Sequence, residues 1–281
     1  MRWIGGRESE NVDDRRGSGG GGLLVGGGIG SVVIAVIVML LGGDPSDVLN
    51  QSSSQQSAPV NQQADDQAAQ FTKRVLASTE DVWTKVFADQ GRQYPKPTLV
   101  MFRGVTQSGC GTAQQAMGPF YCPLDQKVYI DLSFYDELSQ RFQAPGDFAM
   151  AYVVAHEIGH HVQKQLGIMD KTDALRQQMS EREYNKVSVR LELQADFFAG
   201  VWAHHAQGQS IALDKNDVES ALTAANAIGD DRLQEQTQGR VVPDAFTHGT
   251  SAQRVYWFSK GLKTGDINQG DTFNSREDAN L

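Results

Sequence analysis

The sequence contains one short motif whose residue types and spacing imply a reaction, His156-Glu157-Ile158-Gly159-His160. On a helix, His156 and His160 are four residues apart and share one face, so both imidazoles can reach one metal ion. Zinc is the usual ion for nitrogen ligands in tetrahedral geometry. Glu157 follows the first histidine, where its carboxylate can take a proton from a water on the metal. The motif therefore predicts a zinc site with Glu157 as general base.

The alternative for these histidines is an ordinary helix with two surface or core imidazoles. The flanking residues are mostly apolar and predict a buried helix, and the His-Glu-His face interrupts them with polar groups. Buried polar groups are costly unless they are paired or bound to something, so metal ligation is favoured. His161 lies about 140° around the helix from His156 and should not share the metal.

A catalytic zinc needs three protein ligands and one open position. Glu192 and Asp196 are four residues apart, on one face of a second helix predicted over about residues 173–206. Small residues flank them, as expected where another helix packs closely. We predict Glu192 as the third ligand and Asp196 as the carboxylate that accepts a hydrogen bond from a ligand histidine. An ordinary solvated acidic patch is the alternative.

Other elements follow from local pattern. The motif helix is predicted over about 148–166, with Asp147 as N-cap and Gly167 as its end. Apolar residues at helical spacing between Phe71 and Val86 predict an earlier helix, with a cap-like run at 78–81. Strands are predicted at 98–103 and 127–132, and further helices from about 216 to 228 and from about 252 to 263. Thr250 or Ser251 can cap the last helix.

The composition sets the broad class. The chain has 281 residues, of which 40% are hydrophobic, and a formal net charge of −9. That length suits one or two domains, and the acidic balance, without a Lys/Arg-rich patch, argues against a nucleic-acid partner.

The N-terminal part predicts attachment to a membrane. Residues 1–22 are polar and Gly-rich, so we expect a disordered cytoplasmic segment. Residues 23–41 are uncharged and mostly apolar, and as a helix they would span about 28 Å, close to the bilayer core. Residues 42–70 read as a flexible linker before a domain at 71–281. A cleaved signal peptide is the alternative, but no small-residue cleavage site follows.

The predicted orientation follows from the basic residues. Four arginines precede residues 23–41, and no basic residue follows until Lys73. The positive-inside rule then leaves the N-terminus in the cytoplasm. We therefore expect a single-pass protein of the inner (cytoplasmic) membrane whose C-terminal domain is extracytoplasmic, that is, periplasmic.

The two cysteines, Cys110 and Cys122, are separated by twelve positions. An extracytoplasmic domain lies in a compartment that permits disulfides, so we expect these residues to be bonded to each other. Two free thiols or a second metal site are the alternatives, and no second Cys/His pair at zinc-finger spacing supports the latter.

The motifs resemble known metallopeptidases. His156-Glu157-x-x-His160 followed by Glu192-x-x-x-Asp196 is similar to the gluzincins, which include thermolysin-like and membrane CAAX-type proteases. Almost the whole chain resembles the bacterial neutral zinc metallopeptidases of the YpfJ type. The matching runs include Met1-Arg2-Trp3, Gly118-Pro119-Phe120-Tyr121-Cys122-Pro123, Glu192-Leu193-Gln194-Ala195-Asp196 and Phe246-Thr247-His248-Gly249-Thr250-Ser251.

The resemblance implies roles for several residues. It implies Glu192 as a ligand and Asp196 as its supporting carboxylate. CAAX-type proteases have a similar His-x5-Arg element, so His248 would donate to the oxyanion and Arg254 would pair with a site carboxylate. A cap or surface role is the alternative for His248. His204 and His205 are interpreted as structural or exposed.

Together these observations predict an α+β, mainly helical zincin-like domain with a small sheet and one transmembrane helix. The expected activity is a Zn²⁺-dependent endopeptidase that hydrolyses peptides or proteins through a metal-activated water. The strand at 127–132 is the expected edge for an extended substrate. A catalytically inactive zincin-fold binding or scaffold module is the main alternative, and an exopeptidase is a third.

Overall fold

The computed structural model describes residues 1–3, 6–17, 62–114, 118–140, 146–227, 229 and 246–279. The strands are β1 (Arg2–Trp3), β2 (Val12–Asp14), β3 (Thr98–Phe102), β4 (Val105–Ser108), β5 (Gly111–Gln114), β6 (Phe120–Cys122), β7 (Lys127–Asp131) and β8 (Ile211–Ala212). The helices are α1 (Gln62–Asp89), α2 (Phe134–Gln140), α3 (Asp147–Gln165), α4 (Ile168–Arg176), α5 (Glu181–Ala206), α6 (Lys215–Ala227) and α7 (Ser251–Thr264). The predicted mainly helical α+β class with small sheets is confirmed.

Two long helices, α3 and α5, form the centre of the molecule and carry the predicted metal ligands. Gly159 lets them approach closely, since a Cβ there would lie 2.8 Å from the backbone oxygen of Ala195. On its other side α5 crosses α7, where Gly200 and Gly261 bring the two backbones into contact. The face of α5 that bears the site is therefore fixed by packing on both sides.

The ends of these helices have recognisable local causes. Gly167 adopts a left-handed conformation (φ 74°) immediately after Leu166, the residue that caps α3, as predicted for the end of this helix. The predicted Asp147 cap is wrong, because Gly146 holds the cap position and Asp147 is the first helical residue. The helix predicted over 173–206 is in fact two. Ser180 and Glu183 form a capping box that starts α5 afresh after α4.

The main sheet has the strand order β2-β3-β7-β6, with β2, β3 and β7 parallel and β6 antiparallel to β7. The predicted edge role of 127–132 is therefore wrong, because β7 is paired on both sides. Among the described strands, the outermost ones of this sheet are β2 and β6. The Cys110–Cys122 disulfide is confirmed, and it ties the β4–β5 hairpin to β6.

The N-terminal segment is part of the folded domain. β1 pairs with β8, and β2 pairs with β3 inside the main sheet. Fully buried Glu80 of α1 accepts hydrogen bonds from Arg7, Ser9 and Asn11. The expected disorder of residues 1–22 is therefore wrong for residues 2–3 and 6–17, because strand pairing and the partners of Arg7, Ser9 and Asn11 order them, and composition does not reveal those contacts.

The helix α1 also corrects two boundaries. It begins at Gln62, so the last nine residues of the predicted linker at 42–70 are helical. The cap-like run at 78–81 lies inside α1. There the hydroxyl of Ser78 is hydrogen-bonded to the hydroxyl of Ser210, and Glu80 accepts hydrogen bonds from the N-terminal segment. Buried polar partners, rather than a helix start, explain these residues.

The predicted transmembrane span at 23–41 lies outside the described residues. Among the helices that are described, none combines the length and the hydrophobicity needed to cross a bilayer.

Candidate metal centre

The ligand atoms expected from the sequence converge between α3 and α5. The Nε2 atom of His156 lies 3.1 Å from Oε2 of Glu192, and Nε2 of His160 lies 3.4 Å from Oε1 of the same carboxylate. The three ligand atoms all lie within 4.8 Å of one another. Both histidines are buried, at 7% and 9% exposure, and Glu192 lies at the partly open side.

This donor set fits a zinc ion. A tetrahedral ion with ligand bonds of about 2.0–2.1 Å holds its ligand atoms about 3.3 Å apart, close to both distances to Glu192. Two imidazoles and one carboxylate also leave the fourth position free, the arrangement typical of catalytic zinc. Glu157, only 7% exposed, is the next residue after His156 on α3.

A buried charged network supports His156. Its Nδ1 lies 2.8 Å from Oδ1 of Asp196, so an Nδ1–H donates to the carboxylate. Arg254 donates to both oxygens of Asp196, from Nε at 2.8 Å and from Nη2 at 3.0 Å. The hydroxyl of Tyr152 donates to Oδ1 as well, at 2.5 Å. These contacts place Asp196 beside a predicted ligand histidine and Arg254 beside a site carboxylate, and the roles of both residues stay predictions.

The pKa values follow from these contacts. Burial raises the pKa of Asp196, but Arg254 and His156 outweigh it and lower the pKa to about 2. For His156, burial lowers the pKa, but the charge of Asp196 and hydrogen bonds to Asp196 and Glu192 together raise the pKa to about 10. These contacts favour the protonated imidazole of His156 in the metal-free chain, so metal binding is expected to be coupled to release of a proton.

A neutral amide chain supports His160. Its Nδ1 lies 2.9 Å from Oε1 of Gln163. The Nε2 of Gln163 donates to the backbone oxygen of Leu191 at 2.7 Å and to Oε1 of Gln194 at 3.1 Å. Gln194 in turn donates to the backbone oxygen of Gly270 at 2.8 Å. Each ligand histidine thus has an acceptor on Nδ1, which leaves Nε2 for the metal.

The remaining histidines stand apart from the ligands. His161 is buried between Tyr94 and Tyr121, with Nε2 2.7 Å from the backbone oxygen of Pro95. Burial lowers its pKa to about 4, partly offset by that hydrogen bond. His204 and His205 contact backbone oxygens at the end of α7, in agreement with a structural role.

His248 is exposed and precedes the cap of α7, with Nδ1 3.0 Å from the hydroxyl of Thr247. The loop that carries it crosses α5, since a Cβ on Gly249 would lie 3.2 Å from Val189 and 3.3 Å from Leu193. These residues flank Glu192 in sequence. The catalytic role of His248 stays a prediction.

The sequence reasoning missed Tyr152 and Gln163 as site residues. A signal for both was available, because Tyr152 precedes His156 by four residues and Gln163 follows His160 by three. Those spacings place the side chains on the ligand face of the helix. Gln194 and Gly270 had no comparable local signal.

The fold and the site together define a helical α+β protein with a buried His–His–Glu centre suited to zinc. Its sequence matches, over residues 1–273, the family described as "Putative neutral zinc metallopeptidase". The chain belongs to that family.

Similar proteins extend over most of the chain. The protein YpfJ of Escherichia coli (strain K12) is 51% identical over 284 residues, covering 97% of this chain and 99% of YpfJ. The protein Rv2575 of Mycobacterium tuberculosis (strain ATCC 25618 / H37Rv) is 42% identical over 217 residues, covering 73% of this chain and 71% of that protein. No solved structure matches the chain.

Proposed function

We propose that the protein is a zinc-dependent endopeptidase that hydrolyses peptide bonds with water, using Glu157 as general base. The observation that carries this proposal is the convergence of both histidine Nε2 atoms on the Glu192 carboxylate. Membership of a zinc metallopeptidase family supports the reaction class.

The chain's own residues have defined tasks in this reaction. A bound zinc would polarise the scissile carbonyl and make water acidic enough to be deprotonated near neutral pH. Glu157 takes the proton of the attacking water and delivers it to the leaving amine. Asp196 keeps a proton on Nδ1 of His156, so that Nε2 stays a lone-pair donor. Arg254 holds Asp196 in place and compensates its charge in the protein interior.

His248 is our candidate donor to the oxyanion, supported by its exposed position on a loop that crosses the ligand helix α5. Removing one oxyanion donor lowers kcat about 100- to 1,000-fold in other hydrolases. We expect a loss of about 100-fold in His248→Ala with unchanged zinc content. An unchanged kcat would remove His248 from the mechanism.

The decisive test of the catalytic role is Glu157→Gln, which keeps the size of the side chain and removes its basicity. We expect this variant to retain zinc and to lose hydrolysis of an unstructured protein, measured by the appearance of new N-termini. Glu181→Gln, on the exposed first turn of α5, is a matched control that should remain active. Proteolysis at the wild-type rate in Glu157→Gln would sink the assignment. Zinc binding without any proteolysis in the wild type would favour the inactive binding module instead.

Membrane contact through residues 23–41 remains part of the proposal, and in place of the single-pass arrangement we propose that both flanking parts lie on one side of the membrane. Residues 12–14 pair with β3, and Arg16 donates to Asp65 at the start of α1. These contacts support a topology in which the N-terminal segment and the domain lie on the same side of any membrane, because the two parts pack against each other. A single crossing between them would separate β2 from its sheet.

Thiol labelling tests this same-side topology. The described residues contain no free cysteine, so Glu10→Cys in the N-terminal segment and Leu124→Cys in the domain introduce single reactive thiols. Both positions are exposed. We expect a membrane-impermeant maleimide to label both variants alike in intact cells, and labelling of only one would restore the single-pass arrangement.

A further inference from the structure

The last described part of the chain packs against the helix that carries Glu192. This C-terminal strap, residues 266–279, contains a short 3₁₀ turn at Ile267–Gln269 and otherwise no regular element. Two of its polar side chains, Thr272 and Asp278, are nevertheless fully buried. Burial of that kind requires specific partners, and those partners lie on α5 and α7.

The contacts with α5 follow one face of the helix. Asp278 accepts two hydrogen bonds from Nη1 of Arg190, at 2.8 and 2.7 Å, and the hydroxyl of Thr272 donates to the backbone oxygen of Arg190 at 2.6 Å. Gly270 accepts from Gln194. Glu192 lies between Arg190 and Gln194 in sequence and about 160° around the helix from both. The strap therefore contacts the face of α5 opposite to the face that carries Glu192, the third ligand.

The strap also determines which way two buried amides point. The backbone oxygens of Gly270 and Leu191 can only accept hydrogen bonds. The first fixes Nε2 of Gln194 toward the strap and turns its Oε1 toward Gln163. The second, together with that Oε1, takes both protons of the Gln163 amide. The oxygen of Gln163 is then left to face Nδ1 of His160, where it can accept only from an Nδ1–H.

We propose that the C-terminal strap positions the metal centre, by holding the turn of Glu192 and by orienting the His160 ring, through Gln194 and Gln163, so that its Nδ1 faces an acceptor and its Nε2 faces the metal. The inference rests on the proposed zinc site. Gly270, Gln194 and Gln163 are positioning residues in this account, since none of them touches the metal or the substrate. The strap thereby makes ligand geometry depend on a segment about 80 residues away in sequence from Glu192.

The hydrogen bonds from Gly270 through Gln194 and Gln163 to His160 are called the relay below. Two variants of the full chain break the relay at different points. Gln194→Met keeps the length of the side chain and removes both of its hydrogen bonds. Gly270→Ala keeps every side chain but would place a Cβ 2.5 Å from the ring of Phe197, so the strap must shift away from α5. Glu277→Gln is the control, because Glu277 binds Tyr256 and Lys260 of α7.

We expect zinc affinity, measured by competition with a chromophoric chelator, to fall about 10-fold in Gln194→Met and Gly270→Ala and to stay unchanged in Glu277→Gln. In the zinc-loaded protein, the Nδ1–H proton of His160 should exchange faster with solvent in both relay variants. A role in folding alone would leave this proton signal unchanged. If either variant fails to fold, the other decides by the same two measurements.

The outcomes separate this inference from the proposed function. If a folded relay variant has the same zinc affinity and the same exchange rate of the His160 proton as the wild type, the role of the strap is overturned. The zinc site itself is then unaffected. A folded wild-type protein that binds no zinc would overturn both.

Discussion

The two ligand histidines lie one turn apart on α3, but different kinds of side chain hold their rings in place. His156 rests on an ion pair, Asp196 with Arg254, both at 2% exposure or less. His160 rests on the neutral amides of Gln163 and Gln194. Neither support adds net charge to the site, because the ion pair is internally compensated and the amides are dipoles. The two supports differ in what remains when one member is removed.

Loss of one member of the ion pair leaves a buried charge, whereas loss of an amide leaves only unsatisfied hydrogen bonds. The first costs about 3–5 kcal/mol and the second about 1–3 kcal/mol in other proteins. The comparison therefore predicts an ordered series of losses in stability and in zinc affinity.

The largest effect is expected from Asp196→Asn, which is nearly isosteric but leaves Arg254 unpaired in the interior. The free energy of unfolding should fall by about 3–5 kcal/mol, and zinc affinity should fall by about 100-fold. Urea denaturation and chelator competition measure the two quantities. Asp81→Asn, at an exposed carboxylate on α1, is the control and should change little. Losses no larger than those of Gln163→Met, described next, would show that the ion pair and the amides do not differ in this way.

A smaller effect is expected from Gln163→Met, which fills the same space and removes the acceptor of His160. The backbone oxygen of Leu191 loses its Gln163 donor, so the free energy of unfolding should fall by about 1–3 kcal/mol. Zinc affinity should fall by about 10-fold. Gln165→Met, two residues further on and partly exposed, is the matched control that should keep wild-type zinc affinity. If Gln163→Met lost as much stability and zinc affinity as Asp196→Asn, the buried charge left by Asp196→Asn would not be what makes that loss large.

A third effect, which depends on pH, is expected at His161, which is buried beside Tyr94 and Tyr121. Its pKa is lowered to about 4, against about 6.5 in the unfolded chain. Between these values the unfolded chain binds more protons, so the contribution of His161 to stability is lost as pH falls from about 6.5 to 4. Over the full range the loss is on the order of 3 kcal/mol, because one pKa unit corresponds to about 1.4 kcal/mol.

The variant His161→Gln removes this titration while keeping a polar side chain. The difference in unfolding free energy between wild type and variant, from urea titrations at pH 7.5 and pH 4.5, should narrow as the pH falls. A difference that is constant with pH would show that the imidazole is not held neutral in the folded protein.

The sequence predicted the centre of the site well, because its information is local. The four-residue spacings of His156 and His160, and of Glu192 and Asp196, are visible without any knowledge of the fold. A capping residue and a left-handed glycine likewise signalled the start of α7 and the end of α3.

The parts that the sequence did not predict depend on distant contacts. The N-terminal segment looks disordered because it is polar, but Glu80, 69 to 73 residues away, binds its polar side chains. The strap has no periodic pattern, and its order comes from Arg190, Trp257 and other partners of Asp278. The position of β7 inside the sheet required the pairing of β6, which only the three-dimensional structure reveals.

The central claim is that His156, His160 and Glu192 hold one zinc ion. The most direct measurement is the metal content of the purified full-length chain by mass spectrometry, for the wild type and for Glu192→Ala, with folding of both checked by circular dichroism. We expect about one zinc per wild-type chain and little or none in the variant. Equal zinc in both, or none in a folded wild type, would contradict it.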